Sequence, residues 1–181
     1  MSIFTAFGLS ASAGLNAYIP LLVIALLARY TNLITLDPQW QALTHPAIIA
    51  LLAVLAGIEF FADKIPAVNH INDAIQTVVR PVAGAIAFAA GSGAIGSTHP
   101  VLALAVGLLV AGSVHATKSL AVRPAVSLTT GGVANTPVSM AEDAVALSVS
   151  LLAIIIPVAL LVIAVGVLFW AWRRWRRTTP A

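Results

Sequence analysis

The chain has 181 residues, of which 60% are hydrophobic and 8% are charged, whereas a soluble domain carries about 25% charged residues. With a mean hydropathy of +1.02, this composition excludes a water-soluble globule and predicts one integral membrane domain over residues 1–181, with the lipid bilayer as its solvent. Four of the nine basic residues stand together at 173–177, so the net positive charge does not indicate a nucleic-acid partner. The absence of cysteine excludes disulfides and thiolate chemistry.

The first apolar segment covers residues 3 to 28 and contains residues that interrupt a helix. Gly14, Asn16 and Pro20 fall near its middle, at a depth where lipid cannot satisfy freed backbone groups. We therefore predict a broken or re-entrant helix over residues 8 to 20, packed against protein or lining a wet cavity.

A second span is predicted over residues 46 to 62, and charged residues stand at its end. Glu59 and Asp63 are four residues apart, so they share one face of a helix. Lys64 follows directly. These three charges mark the end of the span.

An amphipathic helix is predicted over residues 66 to 80. Apolar residues stand at positions 68, 71, 75 and 78, and polar residues, among them Asp73 and Arg80, at positions 69, 73, 76 and 80. Two opposite faces of this kind are typical of a helix that lies on the membrane surface or caps a bundle.

A third span, rich in glycine and alanine, is predicted to begin at Pro81 and to continue to residue 97, and a fourth covers residues 101 to 121. Small residues of this kind allow helices to approach closely. The fourth span carries His115 and Lys118 near its end, and Arg123 follows it.

The stretch over residues 124 to 141 contains many Ser, Thr and Gly residues together with Asn135. It is too polar for a lipid-facing span, so we predict that it is re-entrant or lines a cavity. Glu142 and Asp143 begin the last predicted span, which covers residues 142 to 172.

The chain ends in a basic tail over residues 173–181, preceded and interleaved by Trp170, Trp172 and Trp175. An aromatic belt followed by arginines predicts a cytoplasmic C-terminus. The expected fold is therefore an all-α polytopic bundle of five or six spans. The sequence leaves open whether residues 3 to 28 cross once or fold back, and whether residues 124 to 141 cross the membrane.

Two pairs of sequence features suggest a weak internal repeat. Arg80-Pro81 and Arg123-Pro124 each open a small-residue segment, and the broken segments near Asn16 and Asn135 stand in corresponding halves. Paired broken segments are typical of an inverted-repeat transporter. In a chain so rich in Ala, Gly and Val, chance similarity explains the pattern equally well.

Several motifs resemble an uncharacterised domain-of-unknown-function family of small polytopic bacterial membrane proteins. They are Gly14-Leu15-Asn16-Ala17-Tyr18-Ile19-Pro20, Glu59-x-x-x-Asp63-Lys64-Ile65-Pro66 with Asp73 and Arg80-Pro81 downstream, and Asn135-Thr136-Pro137. The resemblance covers nearly the whole chain. It implies a multi-span helical membrane fold and implies no particular activity.

Charged residues near membrane segments have two interpretations. In the functional one, carboxylates such as Glu59 or Asp63 bind a cation or relay protons in a polar cavity, with His115 beside them. In the structural one, the same residues are ion pairs and helix-end anchors at the membrane surface. The candidate residues for an ion or substrate pathway are Asn16, Glu59, Asp63, Lys64, Asp73, Arg80, His115, Lys118, Arg123, Asn135, Glu142 and Asp143.

The sequence carries no recognisable catalytic or metal-binding motif. There is no His-x-x-x-His spacing, no Gly-x-Ser-x-Gly elbow and no phosphate-binding glycine loop, so we predict neither an enzyme nor a metal site nor a cofactor.

The first functional hypothesis is a small transporter or channel of the bacterial inner membrane, built as a homodimer because 18.6 kDa is small for a gated pathway. A non-catalytic subunit of a larger membrane complex is the second. A lipid-binding or lipid-modifying protein, with phospholipid near Arg80 and Arg123, is the third.

Overall fold

The protein is described from a computed structural model, which covers the backbone of residues 1–64 and 66–178 and leaves undescribed the side chains of residues 66–71 and of most residues after Pro157. The described residues form helices and no strands, as the sequence predicts. The side chains of Trp170, Trp172 and Trp175, and most of the basic tail, lie outside the described residues.

The number of spans differs from the prediction. Among the described residues, three helices are long and apolar enough to cross a membrane, or four if one bent pair forms a single span. The chain is therefore a membrane-embedded helical protein, but five or six spans are not confirmed.

The first apolar segment is two helices of 13 residues each, α1 (Ile3–Leu15) and α2 (Tyr18–Tyr30), separated at Asn16 and Ala17. The break predicted within residues 8 to 20 is therefore present. Each half is shorter than the roughly 20 residues that a membrane crossing needs. A 3-10 helix over Pro38–Thr44 then leads at an angle of 62° into α3 (Pro46–Ala62).

The boundary that we predicted at Pro81 is wrong, because α4 runs without interruption from Pro66 to Gly91. Proline removes one backbone hydrogen bond from a helix, and neighbouring helices make such a loss tolerable within a membrane. The predicted amphipathic segment and the predicted third span are thus parts of one helix.

The second half contains α5 (Ala94–Thr98), α6 (Pro100–Thr117), a π-helix (Lys118–Val122), α7 (Arg123–Thr130) and α8 (Asn135–Thr178). α6, the π-helix and α7 follow one another directly and form one helical run of 31 residues.

The stretch over residues 124 to 141, predicted to be re-entrant or to line a cavity, consists of α7, a tight turn and the first residues of α8. The last helix therefore begins at Asn135, so its predicted start at Glu142 is wrong. Gly131 and Gly132 make the turn with φ angles of 61° and 87°, which glycine adopts without strain. Hydroxyls of the polar stretch, such as that of Thr130, donate to carbonyls within their own helix, so they need no partner outside it.

The core lies where α1, α4 and α6 pack against one another, with α8 against the outer side of α1. Small residues set these distances: a Cβ atom at Gly107 would lie 2.5 Å from the Gly84 carbonyl oxygen. Hydroxyls of α1 add hydrogen bonds between helices, with Ser10 donating to the Gly107 carbonyl at 2.8 Å and Ser12 to the Ala146 carbonyl at 2.7 Å. α1 is therefore held on both sides by the helices of the second half.

Candidate functional site

The polar face of α4 is directed into the protein and its apolar face is directed outward. Gln76 and Arg80 are 2% and 0% exposed, whereas Ile75 and Val78 are 55% and 66% exposed. A helix at a membrane surface would instead present its polar face to water. The observed orientation is that of a helix with lipid on its outer side and a polar interior, and the buried charges of the protein collect in that interior.

A buried ion pair between α3 and α4 forms the centre of this interior. The Nε and Nη2 atoms of Arg80 lie 3.1 and 2.8 Å from Oε1 of Glu59, and both side chains are almost fully buried. On the other side, Nη1 of Arg80 lies 3.2 Å from Nδ1 of His115 in α6. The guanidinium thus joins three helices.

The broken helix places two backbone ends against this pair. The second carboxylate oxygen of Glu59 accepts the N–H of Ala17 at 3.2 Å, at the start of α2, and the ammonium of Lys118 donates to the Leu15 carbonyl at 3.1 Å, at the end of α1. A helix carries partial positive charge at its N-terminus and partial negative charge at its C-terminus. A carboxylate and an ammonium therefore stabilise the two helix ends at the break, whose backbone groups lack partners within their own helices.

The side chain of Asn16, which lies in the break, hydrogen-bonds both to the start of α2 and to α8. Its Oδ1 accepts the N–H groups of Tyr18 and Ile19, both at 3.1 Å, and its Nδ2 donates to Asp143 in α8 at 3.0 Å. This is the capping geometry that favours asparagine at a helix start. The residue both begins α2 and ties it to α8.

The π-helix explains how Lys118 and Arg123 reach the same acids. The Arg123 N–H bonds the Lys118 carbonyl five residues back, so one turn brings residues five apart onto one face. In an α-helix they would point about 140° apart. Here Lys118 lies 2.7 Å and Arg123 3.7 Å from the Glu142 carboxylate.

Asp63 is the most heavily bound carboxylate of the cluster. Cations surround it, with Arg123 at 3.1 Å, Arg80 at 3.5 Å and Lys118 at 3.9 Å, and Asn72 and Ser139 donate hydrogen bonds. Burial alone would raise its pKa, but these three cations and the Asn72 hydrogen bond outweigh burial and hold the pKa of Asp63, the first residue after α3, below its ordinary value.

Two further ion pairs lie at the edge of the cluster. Arg123 binds Asp73 at 3.0 Å, and Lys64 binds Asp143 at 3.3 Å. Lys64 also donates to the Phe60 carbonyl at 2.7 Å. Since each of the five acids of the cluster has a basic partner, the ion pairs of the structural interpretation are present, but they lie inside the helix bundle.

A polar cavity of about 720 Å³ borders the cluster on the side of Asp73 and Arg123. Asn135 lines it and exchanges hydrogen bonds with Ser127 at 3.0 and 3.3 Å. The turn at Gly131 also lines the cavity, so the stretch predicted as cavity-lining does border a cavity although it is helical.

The structure brings most of the predicted pathway residues together. Ion pairs and hydrogen bonds join Glu59, Asp63, Asp73, Arg80, His115, Lys118, Arg123 and Glu142. A second group, Asn16, Lys64 and Asp143, adjoins the first, and Asn135 lies apart at the cavity wall. Their role in a pathway stays a prediction. Among the described side chains, no three His, Asp or Glu residues are grouped to hold a metal ion.

Sequence reasoning missed Asn72, Gln76 and Ser139, which are also buried in or beside the cluster. The signal for two of them was available, because Asn72 and Gln76 precede Arg80 at intervals of four residues and so share its helix face. Ser139 carries no such signal, because the polar sequence around it shows no helical periodicity.

The halves of the proposed repeat differ in structure. Arg80-Pro81 lies inside α4, whereas Arg123-Pro124 begins α7. Both arginines nonetheless bind Asp63.

Comparison with known proteins places the chain in a family. No curated protein and no solved structure matches it. The family model that does match is described as a domain of unknown function, DUF4126, and covers residues 3–177. Because the match extends over nearly the whole length, the chain belongs to the DUF4126 family.

Proposed function

We propose that the protein is a small integral membrane transporter or channel for an ion or small solute, which crosses the bacterial inner membrane several times and has a cytoplasmic C-terminus. The observation that carries this proposal is a polar cavity directly beside a buried ion-pair cluster in a membrane-embedded bundle. Charged side chains inside a membrane are costly, and they commonly mark an ion or substrate path.

The broken helix supports the proposal independently of the charges. In transporters, half-helix ends inside the membrane supply partial charges that bind substrates and coupling ions. Here Glu59 and Lys118 occupy those two ends. A transported ion can replace one of these internal partners, and such an exchange would change the contacts that hold α1 and α2 together.

Shared partners support a site that can rearrange. Arg123 contacts Asp63, Asp73 and Glu142 within 4.0 Å. An arginine that serves several carboxylates can move between them at small cost, because each new position offers a charge-assisted hydrogen bond. A cation that enters the cavity at Asp73 would compete with it directly.

Flux measurements with purified protein in liposomes test the proposal. We expect the protein to carry at least one of H⁺, Na⁺, K⁺ or chloride, and we expect Glu59→Gln to reduce that flux at least tenfold. Asp37→Asn is the matched control, since Asp37 precedes the 3-10 helix and belongs to none of the ion pairs described. If no flux is found and the protein co-purifies with a larger partner at a fixed stoichiometry, the accessory-subunit hypothesis is favoured instead. Crosslinking in the membrane tests the expected homodimer.

Lipid binding is a second candidate, favoured by an apolar groove of about 480 Å³ between the α6 run and α8. Four of its ten lining residues are valines, and Lys118 and Glu142 also border it. Arg80 is fully buried and cannot meet a headgroup, which removes one of the two contacts that the lipid hypothesis expected. Native mass spectrometry of the purified protein tests this candidate: a retained phospholipid that Val138→Trp displaces would support it.

A further inference from the structure

The apolar groove between the α6 run and α8 opens toward the lipid. Both helices are long and apolar enough to cross a membrane, and two of the valines that line the groove, Val122 and Val145, are exposed. The groove also borders the break in the first segment and the ion-pair cluster, because Leu15, Lys118 and Glu142 are among its lining residues. A molecule in the groove can therefore contact the cluster from the lipid side.

The hydroxyl groups of the groove present acceptors. Two hydroxyl side chains line it, Ser113 and Thr117. Ser113 donates to the Val110 carbonyl at 2.8 Å, and Thr117 donates to the Ser113 carbonyl at 2.9 Å. A hydroxyl has one proton to donate and two lone pairs that accept. Because both protons are used within the helix, a ligand in the groove meets the lone pairs.

The charged groups of the groove also present an acceptor. Lys118 has three N–H donors and three oxygen neighbours, which are Glu142 at 2.7 Å, the Leu15 carbonyl at 3.1 Å and Asp63 at 3.9 Å. Its side chain is 3% exposed, whereas that of Glu142 is 12% exposed. The carboxylate is therefore the charge that a ligand in the groove meets. The described lining of the groove thus offers oxygen acceptors and no unoccupied donor side chain.

The charge of the cluster favours a cation in the same place. The described residues that form the cluster contribute five carboxylates and four basic groups. These are Glu59, Asp63, Asp73, Glu142 and Asp143, and Lys64, Arg80, Lys118 and Arg123. His115 adds no positive charge, because a guanidinium group only donates hydrogen bonds and Nδ1 of His115, 3.2 Å from Nη1 of Arg80, must accept one. The described cluster therefore carries one net negative charge, which a monovalent cation would balance.

We propose that the groove binds a primary or secondary alkylammonium ion, and that this lipophilic cation is the solute of the transport proposed above, on which this assignment of the solute rests. The apolar chain packs against the four valines of the groove, and the N–H groups donate to Glu142 and to the hydroxyl oxygens. Lys118 remains paired when Glu142 binds the ligand, because Asp63 lies 3.9 Å from it. A quaternary ammonium ion fits less well because it has no N–H group, and an anion is repelled by Glu142.

Equilibrium binding of radiolabelled n-octylamine to the protein in lipid nanodiscs tests this proposal, with binding to empty nanodiscs subtracted. We expect saturable binding that unlabelled n-octylamine displaces. Octyltrimethylammonium should require a concentration about ten times higher or more, because it lacks the charge-assisted hydrogen bonds. Octyl sulfate, which has the same chain and the opposite charge, should not displace the label.

Two pairs of variants locate the site. Glu142→Gln should weaken binding about tenfold or more, because a charged acceptor is lost, whereas Asp37→Asn should not change it. Val138→Trp fills the groove and should abolish binding, whereas Val101→Trp, at an exposed position of α6 that does not line the groove, should not. The tryptophan pair keeps the test decisive if Glu142→Gln fails to fold, because it leaves the ion pairs intact.

The proposal is overturned if binding is not saturable, if octyl sulfate or octyltrimethylammonium competes as well as n-octylamine, or if Glu142→Gln or Val138→Trp binds like the wild type. A phospholipid that stays in the groove at saturating n-octylamine would support the lipid candidate and overturn this one. Saturable amine binding without any flux in liposomes would support the site and refute the transport proposal. Ion flux without amine binding would refute this inference and leave the transport proposal standing.

Discussion

Replacing Arg80 tests whether the buried cluster stabilises the fold. Arg80→Met substitutes an uncharged, unbranched side chain and removes the cation that binds Glu59, His115 and Asp63. Removing one partner of a buried ion pair costs about 3–5 kcal/mol, because the other charge is left without compensation. Since Arg80 is fully buried, we expect a loss of that size in the free energy of unfolding.

The assay is reversible unfolding in mixed micelles with increasing sodium dodecyl sulfate. Arg29→Met is the matched control, because Arg29 and its hydrogen bond to the Thr44 carbonyl are both exposed, so its loss should change stability by about 1 kcal/mol or less. The double variant Arg80→Met/Glu59→Gln should recover much of the loss, since the new amide oxygen can still accept the Ala17 N–H.

Recovery should be incomplete, because Nδ1 of His115 still loses its donor at a cost of about 1–3 kcal/mol. The double variant should nonetheless be more stable than the sum of the two single losses predicts, and the difference should be about 0.5–3 kcal/mol. Additive losses, or an Arg80→Met variant as stable as Arg29→Met, would refute the role assigned to the pair.

Three other variants probe separate features with the same titration. Lys118→Met removes the cation at the Leu15 carbonyl and should cost about 3–5 kcal/mol; a change within the range of Arg29→Met would contradict the helix-end role. Gly107→Ala would bring a methyl group to 2.5 Å from neighbouring atoms and should cost about 1–3 kcal/mol, whereas Gly57→Ala, where a Cβ meets nothing within 4 Å, should not destabilise. Because the surrounding cations outweigh burial and hold the pKa of Asp63 below its ordinary value of 3.8, its stabilisation is present above that value and is lost as the pH falls through the lower folded pKa; Asp63→Asn should flatten this part of the acid profile, and an unchanged profile would count against the ion pairs.

The all-helical membrane fold and the break at Asn16 follow from composition and from a few residues. An apolar segment with Asn16 and Pro20 near its middle cannot remain a regular helix in lipid without support. The same argument fails at Pro81, where a proline stands within an uninterrupted helix. Local sequence marks a weak point, and tertiary contacts decide whether the helix breaks there.

The composition of the site was predictable, but its geometry was not. Scarce charges in a membrane protein must find one another, which is why residues as distant in sequence as Glu59 and Glu142 could be proposed for one site. The π-helix that aligns Lys118 with Arg123 has no distinctive sequence signal. Nor did the pattern of residues 66 to 80 reveal which face of α4 would be inside, because periodicity defines two faces and does not say which one contacts lipid.

The inward polar face of α4 also has a consequence for biogenesis. When α4 leaves the ribosome, only the partners encoded before it exist, and an arginine exposed to lipid costs at least about 2.5–3.5 kcal/mol at mid-membrane. Glu59 is such an earlier partner of Arg80, whereas His115, its partner in α6, is synthesised later. α3 and α4 are therefore best inserted together as a neutralised hairpin, and the rest of the polar interior is assembled around them as the second half of the chain arrives.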